Sequence, residues 1–82
     1  MRLCDLANNT KAEIVGFAAD ASPDKESLIR AIIEMGLAVG TVVEILHAGP
    51  IGRDPLAVSC RGALIGLGRV EAQLILVKEK SQ

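Results

Sequence analysis

Tryptophan and tyrosine are absent from this 82-residue chain, and Phe17 is its only aromatic residue. Single-stranded nucleic acid is held by bases stacked on aromatic rings, and proline-rich peptides dock in aromatic-lined grooves, so the chain has almost nothing to offer either ligand. Charge of one sign is also lacking. Nine Lys and Arg against ten Asp and Glu leave a net charge of −1, spread without blocks, which gives no electrostatic pointer to nucleic acid. No apolar run approaches the roughly 20 residues of a membrane-spanning helix. The Met1-Arg2 start lacks the hydrophobic stretch of a signal peptide, so a cytoplasmic location is expected. Cysteine is scarce: Cys4 and Cys60 lie far apart, with no CxxC spacing, and do not make a disulfide framework. The GxxxxGKS, HExxH and GxSxG patterns of phosphate cradles, zinc proteases and serine hydrolases are missing, and no enzyme is expected.

What is present is aliphatic. Half of the residues are apolar, and Leu, Ile, Val and Ala must fill the core of one small domain spanning 1–82, able to bury roughly 60% of its unfolded surface. Leu3 and Leu6 read as anchors of an irregular lead-in, and Asn8-Asn9-Thr10 as a turn. Alternation from Lys11 to Phe17 predicts a strand of six or seven residues. A helix start follows, with Ser22 as cap, Pro23 in the first turn and Asp24 at the positive end of the dipole. The helix should run to about Met35, presenting Leu28, Ile32 and Met35 inward with Ile29 and Ile33 widening the stripe, as a lid on the barrel. Gly36 is the expected left-handed stop, and the turn from Gly36 to Thr41 reads as buried.

Beyond Thr41 the period changes to two. Val43 and Ile45 point inward, with His47 in the same phase. Gly49-Pro50-Ile51-Gly52-Arg53-Asp54-Pro55 reads as a loop, and Leu56, Val58 and Cys60 form the second strand of a hairpin. Gly62-Ala63 is the next expected turn, followed by a short strand with Ile65 and Leu67 inward and with Gly66 and Gly68 as bends at a barrel corner. One helical turn near Val70-Glu71-Ala72 then leads to a last strand, Leu74 to Val77, and a polar tail from Lys78 to Gln82. The expected fold is mainly β: a small closed or nearly closed barrel of about five strands, with one α-helix inserted after the first long strand.

The run Arg30-Ala31-Ile32-Ile33-Glu34-Met35-Gly36-Leu37, then Gly40-Thr41, Gly49-Pro50, Asp54-Pro55-Leu56 and Arg69 to Ala72 with Ile75 and Val77, resembles the FeoA family of small accessory proteins of bacterial ferrous-iron transport, also found at the end of some metal-dependent repressors. The resemblance covers nearly the whole chain. It implies an SH3-like barrel that binds the cytosolic part of the membrane Fe(II) permease GTPase, without enzymatic activity and with no cofactor required. One position departs: the family often has an arginine after Leu67, where this chain has Gly68 and then Arg69.

On this reading the partner-binding residues are Pro50, Arg53, Asp54 and Pro55, on a loop that prolines stiffen, together with Arg69. Cys60 reads as a small buried hydrophobe and Cys4 as partly exposed. His47 as a lone histidine is read as structural. The alternative is a transition-metal-responsive module whose self-association depends on Fe(II) or Zn(II). Its ligands would be His47 with the carboxylates Glu44, Asp54 and Glu71, shared between two chains of a homodimer. A peptide-binding barrel of the signalling type is the remote third reading, against which the missing aromatics count.

Overall fold

The computed structural model describes residues 1–18, 23–51 and 54–80. Its elements are a 3₁₀ turn Leu3–Asp5, strand β1 Lys11–Phe17, helix α1 Pro23–Glu34, strands β2 Val42–Ile51, β3 Asp54–Cys60 and β4 Ala63–Leu67, helix α2 Arg69–Leu74 and strand β5 Ile75–Glu79. The strands form one antiparallel sheet in the order β4-β3-β2-β1-β5. The sheet curls around an aliphatic interior but is not closed, because β4 and β5 are its two ends. The expected five-stranded arrangement with one helix after the first long strand is present, in the open form, with no pairing between β4 and β5. Ile14, Val43, Ile45, Val58 and Val77 cover its inner face, with Leu3, Leu6, Ile32 and Leu37 packed over them.

The two edges are treated differently. Along β5, Arg2 bridges to Leu76 and the Val77 N–H donates to the Met1 carbonyl at 2.7 Å. The first two residues thus cover the start of that edge through an isolated bridge. No strand of the described residues lies outside β4.

α1 ends as the glycine predicts. Gly36 has φ 102°, the Leu37 N–H reaches the Ile32 carbonyl at 3.2 Å and the Gly36 N–H reaches the Ile33 carbonyl at 2.9 Å. This is the two-bond Schellman arrangement, and Ile32 and Leu37, the pair that it brings together, are both fully buried. The helix is held more thinly than a five-residue stripe would imply. Ile32 is its one buried residue, Leu28 and Ile29 are half-buried, and Ile33 and Met35 are exposed. The expected cap Ser22 lies outside the described residues.

A second glycine, Gly40, has φ 94° in the turn closed by the Thr41 N–H on the Ala38 carbonyl at 3.1 Å. Positive φ at the third residue of such a turn is what type II geometry requires. The turn is stitched to β1, with the Gly40 N–H on the Ile14 carbonyl at 2.8 Å and the Ile14 N–H on the Thr41 carbonyl at 2.9 Å. It is not buried as a whole: Leu37 and Thr41 are interior, while Val39 and Gly40 face solvent.

Several strand boundaries move. β2 and β3 absorb most of the expected loop, pairing as far as Ile51 and Asp54, so that only 52–53 lie between them. The β3–β4 turn is Arg61-Gly62, with φ 53° and 80°, and Ala63 already belongs to β4 opposite Cys60. Positive φ at both central residues matches the right-handed twist of a two-residue hairpin. α2 has six residues and includes Leu74, while β5 takes in Lys78 and Glu79 from the expected tail.

α2 starts at a cap of its own making. The Gly68 N–H donates to Glu71 Oε1 at 3.0 Å, the reciprocal half of a capping box that a glycine cap can still use. Glu71→Ala leaves that donor without its partner and is expected to cost about 0.5–2 kcal/mol, read as a lower urea midpoint at unchanged slope.

Candidate functional site

A one-residue bulge in β2 decides which side chains reach the outer face. Ile45 pairs with Val58, but the next pair is His47 with Ala57, so Leu46 and His47 together oppose a single residue of β3. The alternation therefore slips. Ile45 is buried, whereas His47 is exposed and Ala48 takes the place against the core. This corrects the expected phase of His47, which is on the solvent side of the sheet.

From His47 a row runs straight across the sheet to Ala57 and then to Gly66 of β4. Two of its three members carry a methyl group or nothing. A cavity of about 350 Å³ opens over them, lined by His47, Gly49, Pro55, Ala57, Leu64 and Gly66 and by Leu56. The floor is low because Ala57 and Gly66 are small. One wall is Leu64, 70% exposed at the edge of the sheet. A Cβ placed on Gly66 meets no atom within 4 Å, so the space above the glycine is empty. Gly66 pairs with Ala57 in regular register, without a bulge, and its open side faces outward. Gly68 is the helix cap of α2.

The expected partner-binding residues fall unevenly around this trough. Pro55 is part of its lining. Pro50 lies near the end of β2 and Asp54 pairs with Ile51 at the tip of the same hairpin. Arg53 lies outside the described residues. Arg69 is the exposed first residue of α2, in sequence just beyond the end of β4. Ala57, Leu64 and Gly66 were not among the candidates. Leu64 carried a readable signal, since a large apolar residue stands there in the outward phase of a strand whose inward phase is Ile65 and Leu67.

The expected metal ligands come from three elements, His47 and Glu44 on β2, Asp54 on β3 and Glu71 on α2. Glu44 sits half-buried on β2 between Lys11 and Ser59, and Glu71 holds the start of α2. Among the described residues, no three His, Cys, Asp or Glu side chains come together as a set that could hold a metal ion. Cys60 is buried as expected, its thiol 3.8 Å from the Gly36 carbonyl. Cys4 is half-buried, and desolvation followed by the charge of neighbouring Asp5 raises its thiol above the ordinary value. It is a protonated thiol near neutral pH and a poor nucleophile. No helix of the described residues is long and apolar enough to cross a membrane.

These features, an open SH3-like sheet with a lid helix between its first two strands and a second helix before its last, define the class. The FeoA domain model matches residues 1–79, and the chain belongs to that family. Solved structures agree. An FeoA-like protein from Clostridium acetobutylicum is 28% identical at a TM-score of 0.84, over 100% of this chain and 88% of its own. FeoA from Chlorobium tepidum is 31% identical at 0.82, over 99% and 71%. Stenotrophomonas maltophilia FeoA, solved with zinc, is 27% identical at 0.80, over 95% and 89%; it is described as a prokaryotic SH3 domain protein and a suggested activating factor of ferrous iron transport. Manganese-dependent transcriptional repressors at 19–20% identity share the fold. No curated protein matches the chain. The FeoA family is an iron-transport accessory domain, not a known enzyme family, and its members are linked to ferrous iron transport.

Proposed function

We propose that this protein is a non-enzymatic regulatory module of Fe(II) uptake that works in the cytoplasm by binding the cytosolic part of the membrane ferrous-iron permease GTPase. The observation that carries the reading is the match of the family model to residues 1–79. The docking region is the β2–β3 tip with Pro50, Arg53, Asp54 and Pro55, together with Arg69. Segments that join strands are where recognition residues usually sit, and two prolines reduce the conformational freedom that binding removes. Binding shifts the population of permease states; it supplies no chemistry. The double variant Arg53→Ala/Asp54→Ala is expected to bind the isolated cytosolic GTPase domain at least ~10-fold more weakly in calorimetry, in the range of an interface hot spot. Unchanged affinity with an unchanged thermal melt rejects this tip as the docking region.

The zinc in the Stenotrophomonas maltophilia structure favours a second reading, self-association driven by Fe(II) or Zn(II) through His47, Glu44, Asp54 and Glu71. A size-exclusion profile that shifts on adding either ion and returns with chelator supports it. A profile that does not move leaves permease docking as the sole reading.

A further inference from the structure

We infer that β4 is a self-pairing edge, through which two copies of this chain join in antiparallel fashion into one continuous sheet, with Leu64 of each seated in the trough of the other. The inference is independent of the transport reading and needs no metal.

β4, Ala63-Leu64-Ile65-Gly66-Leu67, has an unpaired outer side among the described residues, while the opposite edge of the sheet is covered by Met1 and Arg2. Sheet edges are commonly protected by charge, proline or a bulge, and β4 has none of the three. An unpaired edge accepts an extended segment, and the side-chain pattern selects which one.

The register selects a second copy. An antiparallel pair related by a two-fold axis at Ile65 puts position 64 of one strand opposite position 66 of the other, on the same face. Leu64 is the most exposed large apolar side chain among the described residues. Gly66 is the one residue of β4 without a side chain, with open space above it and Ala57 beside it. The bulky residue of each copy therefore meets the empty position of the other, twice. Such self-complementarity is what a two-fold interface requires, and a strand from an unrelated protein would have no reason to match it. A five-residue pairing is small beside the ~1,200 Å² or more of stable complexes, so the dimer is a weak, concentration-dependent one.

Sedimentation of the full chain in chelator, from about 10 μM to about 1 mM, tests it. A monomer–dimer equilibrium is expected. Leu64→Ala removes the knob and Gly66→Val fills the hole, and each should weaken association at least ~10-fold. Far-UV melts serve as the fold control, and the space above Gly66 makes Val there compatible with the native strand. In a Cys4→Ser background, an oxidised mixture of Leu64→Cys and Gly66→Cys chains should give a covalent heterodimer, while neither alone does so comparably. A monomer throughout the range overturns the inference. So does association that both variants leave unchanged, growth beyond the dimer, or cross-linking that ignores the 64-to-66 pairing.

Discussion

Ile32→Ala is expected to destabilise the protein by about 2–5 kcal/mol, the range for deleting most of a fully enclosed aliphatic side chain. Ile32 is fully enclosed and is the only buried residue of α1. It is also the residue whose carbonyl receives the Leu37 N–H where the helix ends. The substitution removes the helix's one deep contact with the sheet while the backbone arrangement at Gly36 stays possible. Each kcal/mol corresponds to about 4–8 °C in Tm for a domain of this size. Far-UV circular dichroism is the appropriate probe because the chain has no tryptophan or tyrosine. Hydrogen exchange gives the local signature: amides of Asp24 to Glu34 should open more readily than those of β2 and β3. A loss below about 1 kcal/mol, well under the range for such a deletion, would show that α1 is held by its half-buried residues instead.

The second large effect is expected at Gly40. A valine there has free space, since no atom lies within 4 Å of where its Cβ would sit, so sterics with neighbours are not the cause. The cause is φ 94°, which a β-branched residue adopts at about 1–3 kcal/mol. The backbone has little room to relax, because the Gly40 N–H and the Thr41 carbonyl are both tied to Ile14 in the middle of β1. Gly40→Val should lower the urea midpoint with an unchanged slope, whereas Gly66→Val, with equal space and ordinary strand geometry, should not. Equal behaviour of the two valines would reject the conformational account.

Much of this fold could be read from local chemistry. The glycine stop at Gly36, the strand from Lys11 to Phe17 and the inward Val43, Ile45, Leu56, Val58 and Cys60 follow from backbone preference and period-two alternation, which are properties of neighbouring residues. The trough could not be read the same way. It depends on the bulge at Leu46-His47, and an extra residue in a strand has no local mark when both residues suit a strand. Without the bulge His47 counts inward, and the row His47–Ala57–Gly66 does not exist. Whether the barrel is closed or only nearly closed was open for a related reason: whether β4 meets β5 depends on the curl of the whole sheet and on Met1 and Arg2 lying beside β5. The length of β2 and β3 was hidden because Gly49, Pro50 and Pro55 are turn-forming residues that pairing overrides.

The position of β1 also bears on synthesis. β1 precedes both of its partners in the sheet, β2 and β5, and three strands and two helices are made between it and β5. Until Ile75–Glu79 leaves the ribosome, one flank of β1 has no partner, and Ile75 and Val77 are missing from the interior. The hairpin of β2 with β3 and then β4 involves near neighbours and has no such wait. The nascent chain thus holds β1 paired on one side only until β5 is made, and completes its core when β5 docks.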